Sequence, residues 1–269
     1  MACQMESVDR LTALLRGLAP EATVLLAGPL STPMSCDAAD SGAMHLHLVL
    51  HGTATLECSN GQQAVSAPAV FVTMTQGAHS LNPDSAATVV FSMRVEFCGP
   101  AAPMIFGENA RPYCIDVLAE QDDLHRIVEL ITQEVDARRC ALGIVLDHAA
   151  EILLVGVLRR LVAVRALPSG VLAGLGDARL ARTLIALHEA PERAWTLELM
   201  AETAGMSRTV FANRFRTVMG ATPKRYLADF RLMLARKVID EQKGLKHAAR
   251  VAGYASPAAL SRALSRTRV

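Results

Sequence analysis

The sequence has no unbroken run of 18 or more apolar residues, although apolar residues make up 51% of it. That excludes a transmembrane helix. It also has no CxxC pair: Cys3, Cys36, Cys58, Cys98, Cys114 and Cys140 are scattered, which argues against a zinc ribbon and predicts reduced, mostly buried thiols. Its N-terminus, MACQMESVDRLTALLRGL, mixes acidic and basic residues among apolar ones and lacks the features of a secretory leader. A cytoplasmic chain is expected. Net charge is nearly absent too, at +1, and taken alone it gives no sign of a polyanionic partner.

That near-neutral average conceals a separation of charge along the chain. Residues 1–170 hold 10 Lys and Arg against 18 Asp and Glu, a net of −8, whereas residues 171–269 hold 17 against 8, a net of +9. Concentrated positive charge is the electrostatic footprint of phosphate binding, with a solvated helical surface as the alternative. Of the 27 basic residues 23 are Arg, the side chain suited to bidentate contacts with phosphate and guanine.

The acidic part reads first as strands. MHLHLVLHG alternates from Met44 to His51, TATLECS and QQAVS flank an Asn60-Gly61 turn pair, and Val70–Met74 and Ala87–Phe97 supply two more strands, separated by Gly77, Asn82 and Pro83. Many short strands with polar turns predict a small barrel or sandwich. From Leu118 the period becomes helical, with helices over Leu118–Val135 and Ala141–Ala166. This segment is a candidate dimer surface, or an apolar face buried against the barrel. The Pro, Ser and Gly of residues 167–176 predict a linker. The expected class is α+β, divided into residues 1–116 (barrel), 117–166 (helical segment), 167–176 (linker) and 177–269 (all-α).

The basic part contains one pattern twice: LELMAETAGMSRTVFANRF and LKHAARVAGYASPAALSRAL. Apolar Leu197, Met200, Ala201 and Ala204 recur at the spacing of a buried helix face, and Leu245, Ala248, Ala249 and Ala252 repeat it 48 residues later. Gly205 and Gly253 then supply a left-handed turn residue. Ser207 and Ser256 are candidate caps for a second helix, and Pro257 suits its first turn. Those second helices bury the i, i+4 pairs Phe211 with Phe215 and Leu260 with Leu264. Helix, glycine turn and capped helix form a helix-turn-helix, whose second helix enters the major groove of DNA. Helix pairs of this kind also occur by packing alone; two copies in register point to function.

Between the copies lies FRTVMGATPKRYLADFRLMLARKVI, and with Gly220, Pro223 and Tyr226 in place, residues 177–269 resemble the DNA-binding domain of the AraC-type (arabinose-regulator) transcription regulators. HLHLVLHG and FVTMTQGAHSL resemble the cupin-like sensor domain of a branch of that family. The resemblance implies an N-terminal cupin-like β-barrel with following helices, a C-terminal double helix-turn-helix, and control of transcription from promoter DNA by a small-molecule effector. It implies base-facing positions at Arg208, Thr209, Ala212 and Asn213, and at Ser256, Pro257, Ala258, Ser261 and Arg262. Asn213 suits an adenine edge, Thr209 a thymine methyl and Arg262 a guanine. Arg214, Arg216, Lys224, Arg225 and Arg250 are expected on phosphates, or simply solvated. Further implied partners are a second copy of the chain and, for an activator, RNA polymerase; no membrane and no cofactor are expected.

His45, His47 and His51 share one strand face by parity, and His79 lies in the following hairpin. Cupin enzymes hold a metal with about three histidines and a carboxylate, but here the His-x-His pair would fall near Ala39–Ser41, where no ligand residue stands. The histidines are therefore expected to line an effector cavity (His45, His47 and His79) or an exposed face, without a metal. His125, His148, His188 and His247 are expected to be structural. A metal-dependent cupin enzyme and an interaction protein that no longer reads DNA remain as alternatives. The second motif reaches Val269 where the family has its closing glycine, so fraying is expected there and the first motif is expected to bind more tightly.

Overall fold

The computed structural model describes residues 9, 11–37, 43–59, 61–74, 78–97, 105, 112–117 and 123–266. Expectations resting on Cys3, Ala39–Ser41, Asn60, Gly77, Cys98, Leu118 and Val269 lie outside them. Two compact units form: one from the described residues of Pro20–Phe97 and Ala102–Pro168, the other from those of Ser169–Val269 together with the helix at Thr12–Leu18.

The first unit has nine strands: β1 (Glu21–Pro29), β2 (Met34–Cys36), β3 (Met44–His51), β4 (Thr53–Cys58), β5 (Gly61–Ser66), β6 (Ala69–Met74), β7 (His79–Pro83), β8 (Val89–Glu96) and β9 (Tyr113–Asp116). They pair antiparallel in a five-stranded sheet ordered β1-β8-β3-β6-β9 and a four-stranded sheet ordered β2-β7-β4-β5. Alternation in β3 suggests one wet face, yet every residue from Met44 to Leu50 is buried. The strand is central, between β8 and β6, and both its faces are covered. Val49 packs with Ala54, Leu56, Phe71 and Leu81 in the core between the sheets, so by the period of two His45 and His47 face the same way. The other face lies toward α2 (Asp123–Ala137) and α3 (Leu142–Ala163), which pack against β1, with α2 also touching β3.

Parity fails at the end of β3. A register irregularity between Val49 and His51 opposite β8 turns His51 outward, where its Nε2 lies 3.0 Å from Asp136 of α2. His51 is thus removed from the inner histidine face by a bulge. The cysteines also differ from expectation: Cys36 is buried, but Cys58 and Cys114 are only partly covered and Cys140 is exposed.

The second unit is helical: α1 (Thr12–Leu18), α4 (Val171–Gly176), α5 (Ala178–Glu189), α6 (Leu197–Thr203), α7 (Arg208–Met219), α8 (Pro223–Asp240), α9 (Leu245–Val251) and α10 (Pro257–Arg266). Two boundaries differ from the sequence reading. Residues 171–176, expected within a linker, form α4, with Val171, Leu172 and Leu175 buried. There Gly174 lets the Met219 sulfur approach to where a Cβ would stand only 2.6 Å away. Likewise α1 packs on α5 and α8: Leu14 and Leu18 are buried, Gly17 lies against Phe230 and Leu234, and Lys237 donates to the Arg16 carbonyl. Apolar composition outweighed the Pro, Ser and Gly content in the first case, and a seven-residue helix is too short to declare its partner in the second. Among the described residues no helix is long and apolar enough to cross a membrane.

At the centre of this unit His188 of α5 meets the Tyr226 hydroxyl at 2.5 Å and stacks near Phe230, while Tyr226 meets Phe215 edge-on. Burial pushes the His188 imidazole down to about 3 and the Tyr226 phenol up. Unfolding exposes His188 to water, where it titrates near 6.5, so below that pH the unfolded chain binds a proton that the folded chain refuses. Stability from this group is complete above about pH 6.5 and falls toward pH 3, by about 1.4 kcal/mol per pH unit. His188→Gln is expected to remove that slope in urea unfolding curves recorded between those pH values; an unchanged slope would show that His188 is charged in the fold.

Candidate nucleic-acid interface

The first motif is built as its spacing predicts. Thr196 Oγ1 accepts from Leu199 N–H at 3.2 Å to start α6, Met200, Ala201 and Ala204 are buried, and Gly205 turns with φ +64°. Ser207 Oγ then accepts from Val210 N–H at 3.4 Å to start α7. Phe211 and Phe215 are fully buried, which turns Arg208, Thr209, Asn213 and Arg216 to solvent, while Ala212 is half-buried. Thr209, Asn213 and Arg216 follow i, i+4, i+7 and form one outward stripe.

In α7, two of the expected DNA contacts already have protein partners. Arg208 donates to Glu198 at 2.7 Å. Arg214 donates its Nε to Asp177 at 2.6 Å, and the same carboxylate caps α5 by accepting from Arg179 and Leu180 N–H. Burial raises the Asp177 pKa, but Arg214 and the two helix N–H groups outweigh it and hold the carboxyl below its usual range. Arg214 thus orients a helix cap, a role the sequence spacing does not reveal.

Thr222 Oγ1 accepts from Arg225 N–H at 3.3 Å and Pro223 occupies the first turn of α8, which spans roughly 27 Å over its 18 residues. Lys224 and Arg225 are exposed in that first turn, Arg225 lying 3.6 Å from Asp229. Farther along, Arg231 donates to the carbonyls of Pro191 and Arg193 at 2.7 and 2.8 Å. Trp195 closes the same loop, its indole donating to the Ala190 carbonyl and its ring lying under Arg193. Nothing in the periodicity distinguishes Arg231 from its neighbours on α8, so sequence reasoning missed it.

The second motif packs on the far half of α8, where Leu232, Ala235 and Val238 meet Ala248, Ala249, Ala252 and Leu260. Leu245 departs from the predicted buried face and is exposed. Gly253 turns with φ +69°, and Ser256 Oγ accepts from Ala259 N–H at 3.1 Å. Ala258, Ser261 and Arg262 are exposed, Pro257 and Leu264 half-buried, and Arg250 lies 3.0 Å from His247. Ser256 is therefore a cap first. The helix remains regular to Arg266, with Leu264 resting on the α8 cluster, so the described residues show no early unwinding. Between the motifs lies a groove of about 670 Å³ whose lining includes Asn213, Arg216, Lys224, Arg231, Trp195 and Tyr254.

In the β-unit His45, His47 and His79 are brought together and buried. His47 Nε2 lies 3.0 Å from His79 Nε2, and His47 Nδ1 3.2 Å from Ser92 Oγ. Burial, then the neighbouring rings of His79 and His45, hold the His47 pKa well below its usual value, so the ring is neutral. The sequence reading omitted Cys36, which joins His47 and His79 in a buried cluster. Cys36 lies opposite His79 across the β2–β7 ladder, a pairing that sequence spacing does not reveal.

Residues 200–268 match a helix-turn-helix domain model and residues 9–115 a cupin model. The chain is 40% identical over 138 residues to an AraC-like transcription regulator of Streptomyces lividans, covering 51% of this chain and 45% of that protein. In its C-terminal half the chain is thus similar to AraC-like transcription regulators. It is also 34% identical over 123 residues to the HTH-type transcriptional regulator AlkR of Acinetobacter baylyi, covering 45% of this chain and 40% of that protein. To the RCS-specific HTH-type transcriptional activator RclR of Escherichia coli it is 25% identical over 268 residues, covering 96% of this chain and 94% of that protein. The chain spans less than half the length of the first of these relatives.

Within the double motif the two turn glycines are not equivalent. Both have positive φ, but a Cβ on Gly253 would stand 2.6 Å from the Glu192 Cα, whereas at Gly205 the nearest atom is 4.0 Å away. Gly205→Ala is expected to lower the unfolding free energy by about 1 kcal/mol, the cost of a left-handed alanine. Gly253→Ala is expected to cost at least about twice that, because backbone must also move. Equal costs in urea denaturation would show that the Glu192 contact contributes nothing.

Proposed function

We propose that this chain is a sequence-specific, DNA-binding regulator of transcription, controlled by a small molecule held among His45, His47 and His79 of the cupin unit. What carries the reading is the helical unit, in which α8 joins two capped helix-turn-helix motifs whose second helices expose Thr209 and Asn213 in one case and Ser261 and Arg262 in the other. Asn213 reads an adenine edge, Thr209 meets a thymine methyl and Arg262 reads a guanine. Arg208, Ala212, Ser256, Pro257 and Ala258 lie on the same helix starts and complete the contact surface. Arg216, Lys224, Arg225 and Arg250 neutralise phosphates, while Arg214 first anchors the cap at Asp177. Ile144 and Ile152, exposed two turns apart on α3, support a homodimer through the helical segment. RNA polymerase is the further partner if the regulator activates, and the cytoplasm, where bacterial promoters are read, is its place of work.

Selection from a random duplex pool followed by fluorescence anisotropy tests this reading. With about four phosphates neutralised, affinity should fall roughly 10²-fold between 50 and 200 mM salt. Binding that ignores salt over that range would sink it.

Arg262→Ala is expected to relax preference at one base pair by ~1–3 kcal/mol. Equal weakening on every sequence would make Arg262 a phosphate contact instead.

A further inference from the structure

The β-unit brings three strong metal-ligating side chains into its interior from both of its sheets. Cys36 and His79 are direct cross-strand partners on β2 and β7, so their side chains leave the four-stranded sheet on the same face. His47 comes from β3 in the five-stranded sheet. One ligating atom from each lies within 4.8 Å of the other two, and all three residues are buried. The Nε2 atoms of His47 and His79 are 3.0 Å apart, close to the roughly 3.3 Å between neighbouring nitrogens on a tetrahedral ion with metal–nitrogen bonds of about 2.0–2.1 Å.

The surroundings fit ligation as well. Ser92 Oγ lies 3.2 Å from His47 Nδ1, the outer arrangement that fixes an imidazole with Nε2 directed at a metal. Around the cluster the core is aliphatic, including Val49, Ala54, Leu56 and Leu81. One thiolate with two imidazoles is a borderline-soft donor set, which selects zinc or copper(I) over magnesium or calcium. It also differs from the carboxylate-containing set of metal-dependent cupin enzymes described above.

We propose that Cys36, His47 and His79 form a zinc(II) site that ties the two sheets together and leaves one coordination position for water or an exogenous donor. On binding, the Cys36 thiol gives its proton to solvent and its sulfur bonds the ion. Zinc keeps its oxidation state throughout. The site shares His47 and His79 with the effector cavity proposed above but does not depend on the DNA reading, and either the zinc site or the DNA reading can fail alone.

The test uses the full chain, reduced and stripped by a chelator, titrated with cobalt(II) alone and then with zinc(II). Cobalt should bind at one equivalent, with a sulfur-to-cobalt charge-transfer band in the near ultraviolet and visible bands of tetrahedral strength. Zinc should displace it, and zinc added to metal-free chain should release one proton per ion. Cys36→Ser should abolish the near-ultraviolet band, and His79→Gln should weaken binding by at least about tenfold. Cys58→Ser should keep the band, although Cys58 pairs with His79 across the other side of β7. Weak octahedral cobalt spectra, binding far below one equivalent, or uptake of copper(I) without cobalt or zinc would each overturn the proposal. So would a folded Cys36→Ser chain that kept the band; should that variant unfold, the unmodified chain and Cys58→Ser still decide.

Discussion

Burial of α8 on two sides is the constraint on which the helical unit depends. Its first half sends Tyr226 and Phe230 into the aromatic cluster with Phe215 and His188. Its second half sends Leu232, Ala235 and Val238 into the alanine-lined cluster beneath the second motif. One helix is therefore a core element for both motifs, and neither recognition helix can shift without disturbing packing it shares with the other. Arg231 and Gly253 add a second connection through the loop at residues 191–195. Close packing of this kind makes a rigid reading head of two short motifs that would each be marginal alone.

Much of this was legible in the sequence because the relevant physics is local. A cap acts within three residues and a left-handed turn within one, so Ser207 and Ser256 as caps, and Gly205 and Gly253 as turns, can be read directly. The strand pattern is legible for the same reason, but it fails at His51, which a bulge turns outward without a compositional trace, and at Asn82 and Pro83, which read as a turn yet lie in β7 paired with β4. What was not legible is what the chain brings together over long separations. Nothing local in the sequence ties Arg214 to Asp177, 37 residues away, although the two meet in the fold. Cys36 looked like one of several scattered thiols until the β2–β7 ladder set it opposite His79. Residues 171–176 looked like a linker because glycine and proline signal turns, but Val171, Leu172 and Leu175 fill a crevice that only the folded unit provides.

The two units spend their polar residues differently. In the helical unit arginines are mostly at the surface, and those that are engaged, such as Arg208, Arg214 and Arg231, hold caps and loops in place around a solvent-facing stripe. In the β-unit, imidazole rings and a thiol are withdrawn from water and set against one another between two aliphatic layers. Burying such groups is costly unless each gains a partner, and the close approach of His47 to His79 and Ser92 supplies it.

The continuity of α8 from Pro223 to Asp240 also acts as a phase setting. In an uninterrupted α-helix each added or removed residue rotates whatever follows by roughly 100° and shifts it by about 1.5 Å. A single insertion within it would therefore swing the second recognition helix to another side of the first, whereas a change of seven residues would nearly restore its bearing at a separation about 10 Å larger. The side of the duplex that two such motifs can address together is thus written in the residue count of one helix, independently of which bases their side chains prefer.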